Sequence, residues 1–335
     1  MLKALLRCAL LSFALLPSMA AAAPIELKFS FFTSDRSNIY QDEIKPFVDA
    51  VNDEGKGLIE VKMYFSGAIS AVQAQQPQLV ADDTADMALV VPAQSPDRFG
   101  DSGVMEMPGM FRDAGEASLV FTRLIEAGAL QGYADFFVIG ACVSGPESIH
   151  SRIPIAVVED LKGLTIRTNN KTEGAVLQKL GAIPVLLAIN QATDAINRDK
   201  IDAATFPPWL LFEFGIGRVA NNHFMLPLGG VPTALIMNRG KFASLPPAAQ
   251  AIIRKYSGQW LAERCVAAMN TQDAEILEQM RADPKRKVVE LSPTELESTQ
   301  RVFASVVQDW AAMSPHNREL LTLVRSEIKT LRSSN

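Results

Sequence analysis

The sequence predicts an α/β protein made of two units, each an open, mostly parallel sheet covered by helices. Three observations carry that prediction. Strand and helix periodicities alternate as βαβαβ from Ile25 to Val91. The alternation restarts near Gly145. And 335 residues exceed the length over which a single core keeps growing, so two domains are expected.

The first strand is Ile25–Phe32, whose apolar and polar residues alternate. Ile44, Phe47, Val48 and Val51 then recur at helical spacing within Tyr40–Asn52. Leu58–Phe65 reads as the second strand, closed by Ser66-Gly67, and a helix through Leu79 and Val80 follows. Asp86–Val91 is the third strand, halted by Pro92, because proline cannot donate to a sheet ladder. A helix over Ala114–Ala127 leads to the strand Phe136–Val143.

In the second unit Leu164–Thr168 is a strand entered through a Gly163 turn, with a helix over Thr172–Leu180 and a strand signal at Gly181–Val185. This βαβ unit delivers Arg167 to a carboxyl end, where ligands of open α/β sheets sit. The guanidinium is a planar fork matched to a carboxylate. The pattern alone also fits a surface arginine paired with an acid.

The strand Ile201–Phe206 ends in Pro207-Pro208-Trp209, and strand signals return at Phe224–Leu228 and Thr233–Met237. Pro246–Arg281 is helical in pattern, with Ile252, Ile253, Tyr256, Trp260 and Leu261 inward. That is long for one domain helix, so it either crosses between the units or is broken. Ser292-Pro293-Thr294-Glu295 is a capping box opening a further helix with Leu296, Phe303, Val306, Val307 and Trp310 on its apolar face.

The chain begins with an export pattern: Lys3 and Arg7, the apolar run Ala9–Leu16, then small residues Ser18–Ala23. The run is too short to span a bilayer. Residues 1–23 are read as a cleavable signal peptide that takes Cys8 with it. The remaining Cys142 and Cys265 fit either a disulfide or two buried thiols. A net charge of −5 without a basic block argues against nucleic acid as a partner. No phosphate loop, zinc-protease helix, nucleophile elbow or C-x-x-C motif is present, and His150, His223 and His316 lack ligand spacing. Binding is therefore expected rather than catalysis, with no cofactor and no metal.

Four segments in register resemble the solute-binding subunits of tripartite ATP-independent periplasmic (TRAP) transporters, the DctP-type family. Tyr64-Phe65-Ser66-Gly67-Ala68-Ile69 is similar to the family's Y-P-x-G-Q-L, and Asp83–Ala88 to x-G-x-V/A-D-M. Met107–Asp113 is similar to L-P-F-L-F-x-D, and Asp160–Thr168 with Leu180–Val185 to D-L-K-G-L-K-I-R-x … L-G-A-x-P-V. The resemblance implies a two-lobe periplasmic binding protein of type II-like form, with the ligand cleft between lobes and a long inter-lobe helix. Lobe I is expected from 24–144 plus 231–272, and lobe II from 145–230 plus 273–335. It implies a membrane permease as partner, with no other membrane contact, and a substrate carboxylate held by Arg167.

Some positions depart from the family. Glu147 stands where a second ligand-binding arginine is frequent, and Pro207 where asparagine is. Phe32 and Val91-Pro92 replace polar residues, so Phe32, Val91, Phe206, Pro207 and Trp209 are expected to give an apolar wall, or else to pack in the core. The expected ligand is an apolar or aromatic monocarboxylate. A C4-dicarboxylate, an amino-acid-like zwitterion, and a sensor or enzyme on the same fold remain the alternatives. Glu147 either receives an ammonium or hydroxyl group of the ligand or pairs with Arg167 or Arg152.

Overall fold

The computed structural model describes residues 23–333. The expected export segment therefore lies outside the described residues, apart from Ala23. Two sheets form two lobes. The first holds β1 (Ile25–Ser30), β2 (Ile59–Tyr64), β3 (Met87–Val90), β4 (Phe136–Val143) and β10 (Pro232–Asn238), in the order β2-β1-β3-β10-β4. The second holds β5 (Ser148–Ser151), β6 (Thr165–Thr168), β7 (Ile183–Leu186), β8 (Ala203–Phe206), β9 (Asn222–Phe224) and β11 (Lys287–Val289), in the order β11-β9-β5-β8-β6-β7.

Neither sheet is as parallel as the periodicity suggests. β1 runs parallel to β2 and β3, and β6 parallel to β7 and β8. β10 is antiparallel to both β3 and β4, and β5 to both β8 and β9. The reason is the way the chain changes lobes. It leaves lobe I through β4 into β5 and comes back from β9 into β10. The outgoing and returning strands pair in each lobe, and the segments between them are joined by Ser144 N–H to Val231 O (3.0 Å), Glu147 N–H to Gly229 O (3.3 Å) and Leu228 N–H to Glu147 O (3.0 Å). One antiparallel ribbon thus threads both lobes.

The helical pattern of Pro246–Arg281 is both broken and inter-lobe. Helices Pro247–Lys255 and Gln259–Ala282 are separated at Gly258, whose φ of 62° is a left-handed setting that favours glycine. The second helix packs on β4 and on the helix Ala114–Glu126 in lobe I, and reaches β11 of lobe II. A disulfide joins Cys142 of β4 to Cys265 of that helix. It closes a loop with a sequence separation of 123 and fixes the bridging helix to lobe I.

The capping box at Ser292 is formed, and Phe303, Val306 and Val307 of its helix, Pro293–Ala312, are buried, whereas Leu296 is exposed. The terminal helix Pro315–Ser333 departs from the expected lobe boundaries. Its Leu320, Leu321, Val324, Ile328 and Leu331 share a core with Phe121 and Leu124 of lobe I. Arg332 adds two hydrogen bonds to the buried Glu116 carboxylate, each 2.7 Å. Its apolar stripe packs on Ala114–Glu126 and also on the helix Pro293–Ala312. Among the described residues no helix is long and apolar enough to cross a membrane.

Candidate functional site

The site grows from β6. Its central place between β7 and β8 buries Ile166, Arg167 and Thr168, so the charged side chain is carried inside by its sheet position. Arg167 has no solvent exposure. Its Nε donates to the Leu187 carbonyl (3.0 Å), Nη1 to the Thr205 carbonyl (2.8 Å) and Nη2 to Asn169 Oδ1 (3.1 Å). The guanidinium also lies 5.0 Å from the ring centroid of Phe206. These bonds use three of its five N–H groups. Arg167 makes no ion pair among the described residues. Burial pulls its pKa below the ordinary arginine value, against the opposing effect of Glu147 and then Glu173.

The turn after β6 organises the neighbours of Arg167. Asn170 caps the helix Lys171–Lys179, accepting the Glu173 N–H at 2.8 Å. The Glu173 carboxylate accepts from the Asn169 N–H (3.0 Å), Asn170 Nδ2 (2.8 Å) and Thr205 Oγ1 (2.7 Å). Glu147 adjoins this group but differs from it. It is 2% exposed, and its Oε2 has no hydrogen-bond partner. Burial, and then the charge of Glu173, raise the Glu147 pKa well above the usual carboxylate range. Arg152 pairs instead with Asp199, and Glu147 lies in no ion pair among the described residues. Neither expected pairing of Glu147, with Arg167 or with Arg152, is formed as an ion pair among the described residues, and burial favours its neutral acid.

A cavity of about 50 Å³ separates the lobes here, lined by residues of both. Phe32, Val91, Glu147, Pro207 and Trp209 line it, together with Glu43 and Asn169. Arg167 and Phe206 do not line it. Phe206 is fully buried in the core beside Phe214 and presents its ring to Arg167. Asn169 connects the two levels, touching the cavity on one side and Arg167 on the other. The cavity is far smaller than the roughly 300 Å³ at the lower end of ligand pockets. Admitting a ligand therefore requires the lobes to part. Contacts that hold them in this arrangement include Asn38 N–H to Glu213 Oε2 (2.9 Å), Thr172 Oγ1 to Glu106 Oε2 (3.4 Å) and Gln94 Nε2 to the Asn169 carbonyl (3.4 Å).

Glu43 and Asn169 were missed in the sequence. Glu43 sits in a π-helical turn, Ile39–Ile44, and is 3% exposed. Burial, and then Glu213, push its pKa up to about 8. Its signal was spacing, since 39, 43 and 47 fall on one helical face and Ile39 and Phe47 are both buried. Asn169 lay two residues past the arginine and carried no pattern of its own. Trp209 is fixed by its backbone N–H on Asp273 Oδ1 (2.9 Å), while its Nε1 is buried without a partner.

Known proteins share this architecture. A TRAP solute-binding protein from Rhodoferax ferrireducens, solved with copurified benzoate, superposes with a TM-score of 0.84 at 26% identity, covering 92% of this chain and 99% of that one. A TRAP periplasmic solute-binding protein from Bordetella bronchiseptica, solved with (R)- and (S)-mandelate, gives 0.80 at 22% identity, over 92% and 100% of the two chains. The 2,3-diketo-L-gulonate-binding periplasmic protein of Escherichia coli is 25% identical over 69% of this chain and 71% of its own. The family model for bacterial extracellular solute-binding proteins, family 7, matches residues 29–313, and with the two lobes and the bridging helix in place the chain belongs to that family, DctP.

Proposed function

We propose that this protein captures an organic acid with an apolar or aromatic body in the periplasm and delivers it to a TRAP membrane permease, without catalysis. The observation that carries the reading is the state of Arg167: fully buried, held by two carbonyls and an amide oxygen, and lacking an ion-pair partner among the described residues. A buried cation without a counter-ion is costly. A ligand carboxylate supplies the counter-ion, and it does so best when the lobes enclose it. That difference between open and closed states is what allows a ligand to drive closure.

The rest of the cavity supports the choice of acid. Phe32, Ile39, Leu89, Val91 and Met269 give it apolar walls, and no lysine or arginine among the described residues lines it to meet a second negative charge. The benzoate found with the Rhodoferax relative fits the same description. Periplasmic residence is supported by the amino-terminal export pattern and by the Cys142–Cys265 disulfide, which suits an oxidising compartment.

Thermal-shift measurements with benzoate, phenylacetate, succinate and glucuronate test the reading. Benzoate or phenylacetate should raise the melting temperature, and succinate should not. Arg167→Ala should lose that shift while retaining the circular dichroism of the parent. A mutant that keeps the full shift would remove Arg167 from the binding role, and a shift with succinate alone would overturn the monocarboxylate assignment.

A further inference from the structure

Three buried polar atoms of cavity-lining residues have no hydrogen-bond partner: Glu147 Oε2, Asn169 Nδ2 and Trp209 Nε1. Their chemistry is unequal. The Asn169 amide oxygen is occupied by Arg167 Nη2 (3.1 Å) and Gln94 Nε2 (3.5 Å), which identifies the NH2 as the free end and makes it a donor. Trp209 Nε1 is a donor only. Glu147 supplies the third atom, and its role depends on where its proton lies.

Glu173 already accepts three donors. Glu147 is within hydrogen-bond reach of Glu173 and Thr205, burial holds its pKa well above the usual carboxylate range, and its Oε2 has no partner. A proton on Glu147 directed at Glu173 satisfies both groups. It leaves Glu147 Oε2 as a carbonyl acceptor beside the cavity. The site around Arg167 therefore asks a ligand for acceptors, to meet Arg167 and Asn169, and for one neutral donor close by, to meet Glu147.

Resting on the function proposed above, we infer that the ligand is a 2-hydroxy monocarboxylic acid, with its carboxylate received by Arg167 and Asn169 and its hydroxyl donating to Glu147 Oε2. The carbon next to a carboxylate is the nearest position from which a hydroxyl can serve both needs. A 2-amino acid would bring an ammonium group to a neutral carboxylic acid, which is no counter-ion. A dicarboxylate would set its second charge beside Glu43 and Glu147, with no lysine or arginine among the described residues lining the cavity to meet it.

Phenylacetate and mandelate differ only by that hydroxyl, and phenylglycine carries the amine in its place. Calorimetric titration of the purified protein should show one mandelate enantiomer binding about tenfold tighter than phenylacetate, about 1.4 kcal/mol. Glu147→Leu should narrow that ratio to below about twofold, because the acceptor is gone. Glu147→Gln should retain most of the ratio, since its amide donates to Glu173 and keeps the carbonyl free. Equal binding of mandelate and phenylacetate would sink the inference and leave the aromatic-acid function standing. Tighter binding of phenylglycine, or loss of the ratio in the glutamine variant, would show that Glu147 is an anion and overturn the inference. If none of these acids binds a folded protein, the proposed function fails and takes the inference with it.

Discussion

His223 donates its Nδ1 proton to Nδ1 of His150 across 2.9 Å in the interior of lobe II. Both tautomers follow from the flanking bonds. His150 Nε2 lies 3.1 Å from the Phe206 carbonyl and must carry its proton, which leaves Nδ1 as the acceptor. His223 Nε2 accepts from Arg286 Nη1 at 3.3 Å, so its proton is on Nδ1. This directed chain, from Arg286 to the backbone of Phe206, holds only while both rings are neutral. It pins together β5 and β9, the lobe II half of the ribbon.

Acid should therefore unfold the protein early. Burial, and then the neighbouring ring, hold His150 down at about 3, while burial and Arg286 hold His223 at about 4. Unfolded histidine takes up its proton near pH 6.5, so the unfolded state binds more protons throughout the interval below that value. Stability is present above about pH 6.5 and is lost as pH falls towards the native values. Denaturant unfolding at pH 7 and at about pH 4.5 should differ by on the order of 2–5 kcal/mol, with His150→Asn flattening the slope by about one proton. A level profile across that interval would mean that the rings titrate normally and that the neutral chain is wrong.

Glu43 predicts the opposite dependence. Its native pKa of about 8 lies above the unfolded value near 4.3, so the folded state retains a proton that the unfolded state releases. Stability from this group is full below about pH 4.3 and is lost as pH rises through about 8. Glu213, raised by burial to about 7, and Asp42 face the same carboxyl and add to the trend. Glu43→Gln should therefore gain melting temperature over the parent progressively between about pH 5 and about pH 8, then level off. Affinity for an anionic ligand should fall above about pH 8 in the parent and less so in the variant, since Glu43 lines the cavity. A constant difference between the two proteins at all pH values would show that Glu43 does not titrate in this range.

The limits of the sequence follow from what periodicity encodes. Alternation in Ile25–Ser30 and Ile59–Tyr64, proline stops, and the Ser292 capping box are local signals, and the elements they imply are present. Strand direction is not local. Nothing within Pro232–Asn238 says that it runs against β3, because that is set by the lobe the chain has just left. The terminal helix Pro315–Ser333 was not among the expected elements, and its partner, Ala114–Glu126, lies about 200 residues earlier along the chain. At the site, the motif around Arg167 was visible. Its complete burial, and the interposition of Asn169 between it and the cavity, come from packing of β6 between two neighbours. A motif specifies the residue, and the sheet specifies how far from the ligand it stands.

Gly229 packs closely on the Glu106 backbone of lobe I and gives a test of closure. It lies on the returning strand of the ribbon, where its carbonyl accepts the Glu147 N–H at 3.3 Å. A Cβ added there would come within 1.8 Å of the Glu106 carbonyl oxygen and 2.6 Å of its carbon. Those are backbone atoms of lobe I and cannot swing aside as a side chain can. Glu106 also receives Thr172 from lobe II, so displacing it weakens an inter-lobe contact as well. Overpacking of this kind costs about 1–3 kcal/mol when the structure must yield. The ribbon can relieve the clash by bending, which moves the lobes apart and takes Glu43 of lobe I away from Asn169 across the cavity. Gly229→Ala should thus lower ligand affinity about tenfold or more with a modest loss of melting temperature, and small-angle scattering should show a larger radius of gyration that ligand no longer contracts. Unaltered affinity and scattering in this variant would place the hinge elsewhere.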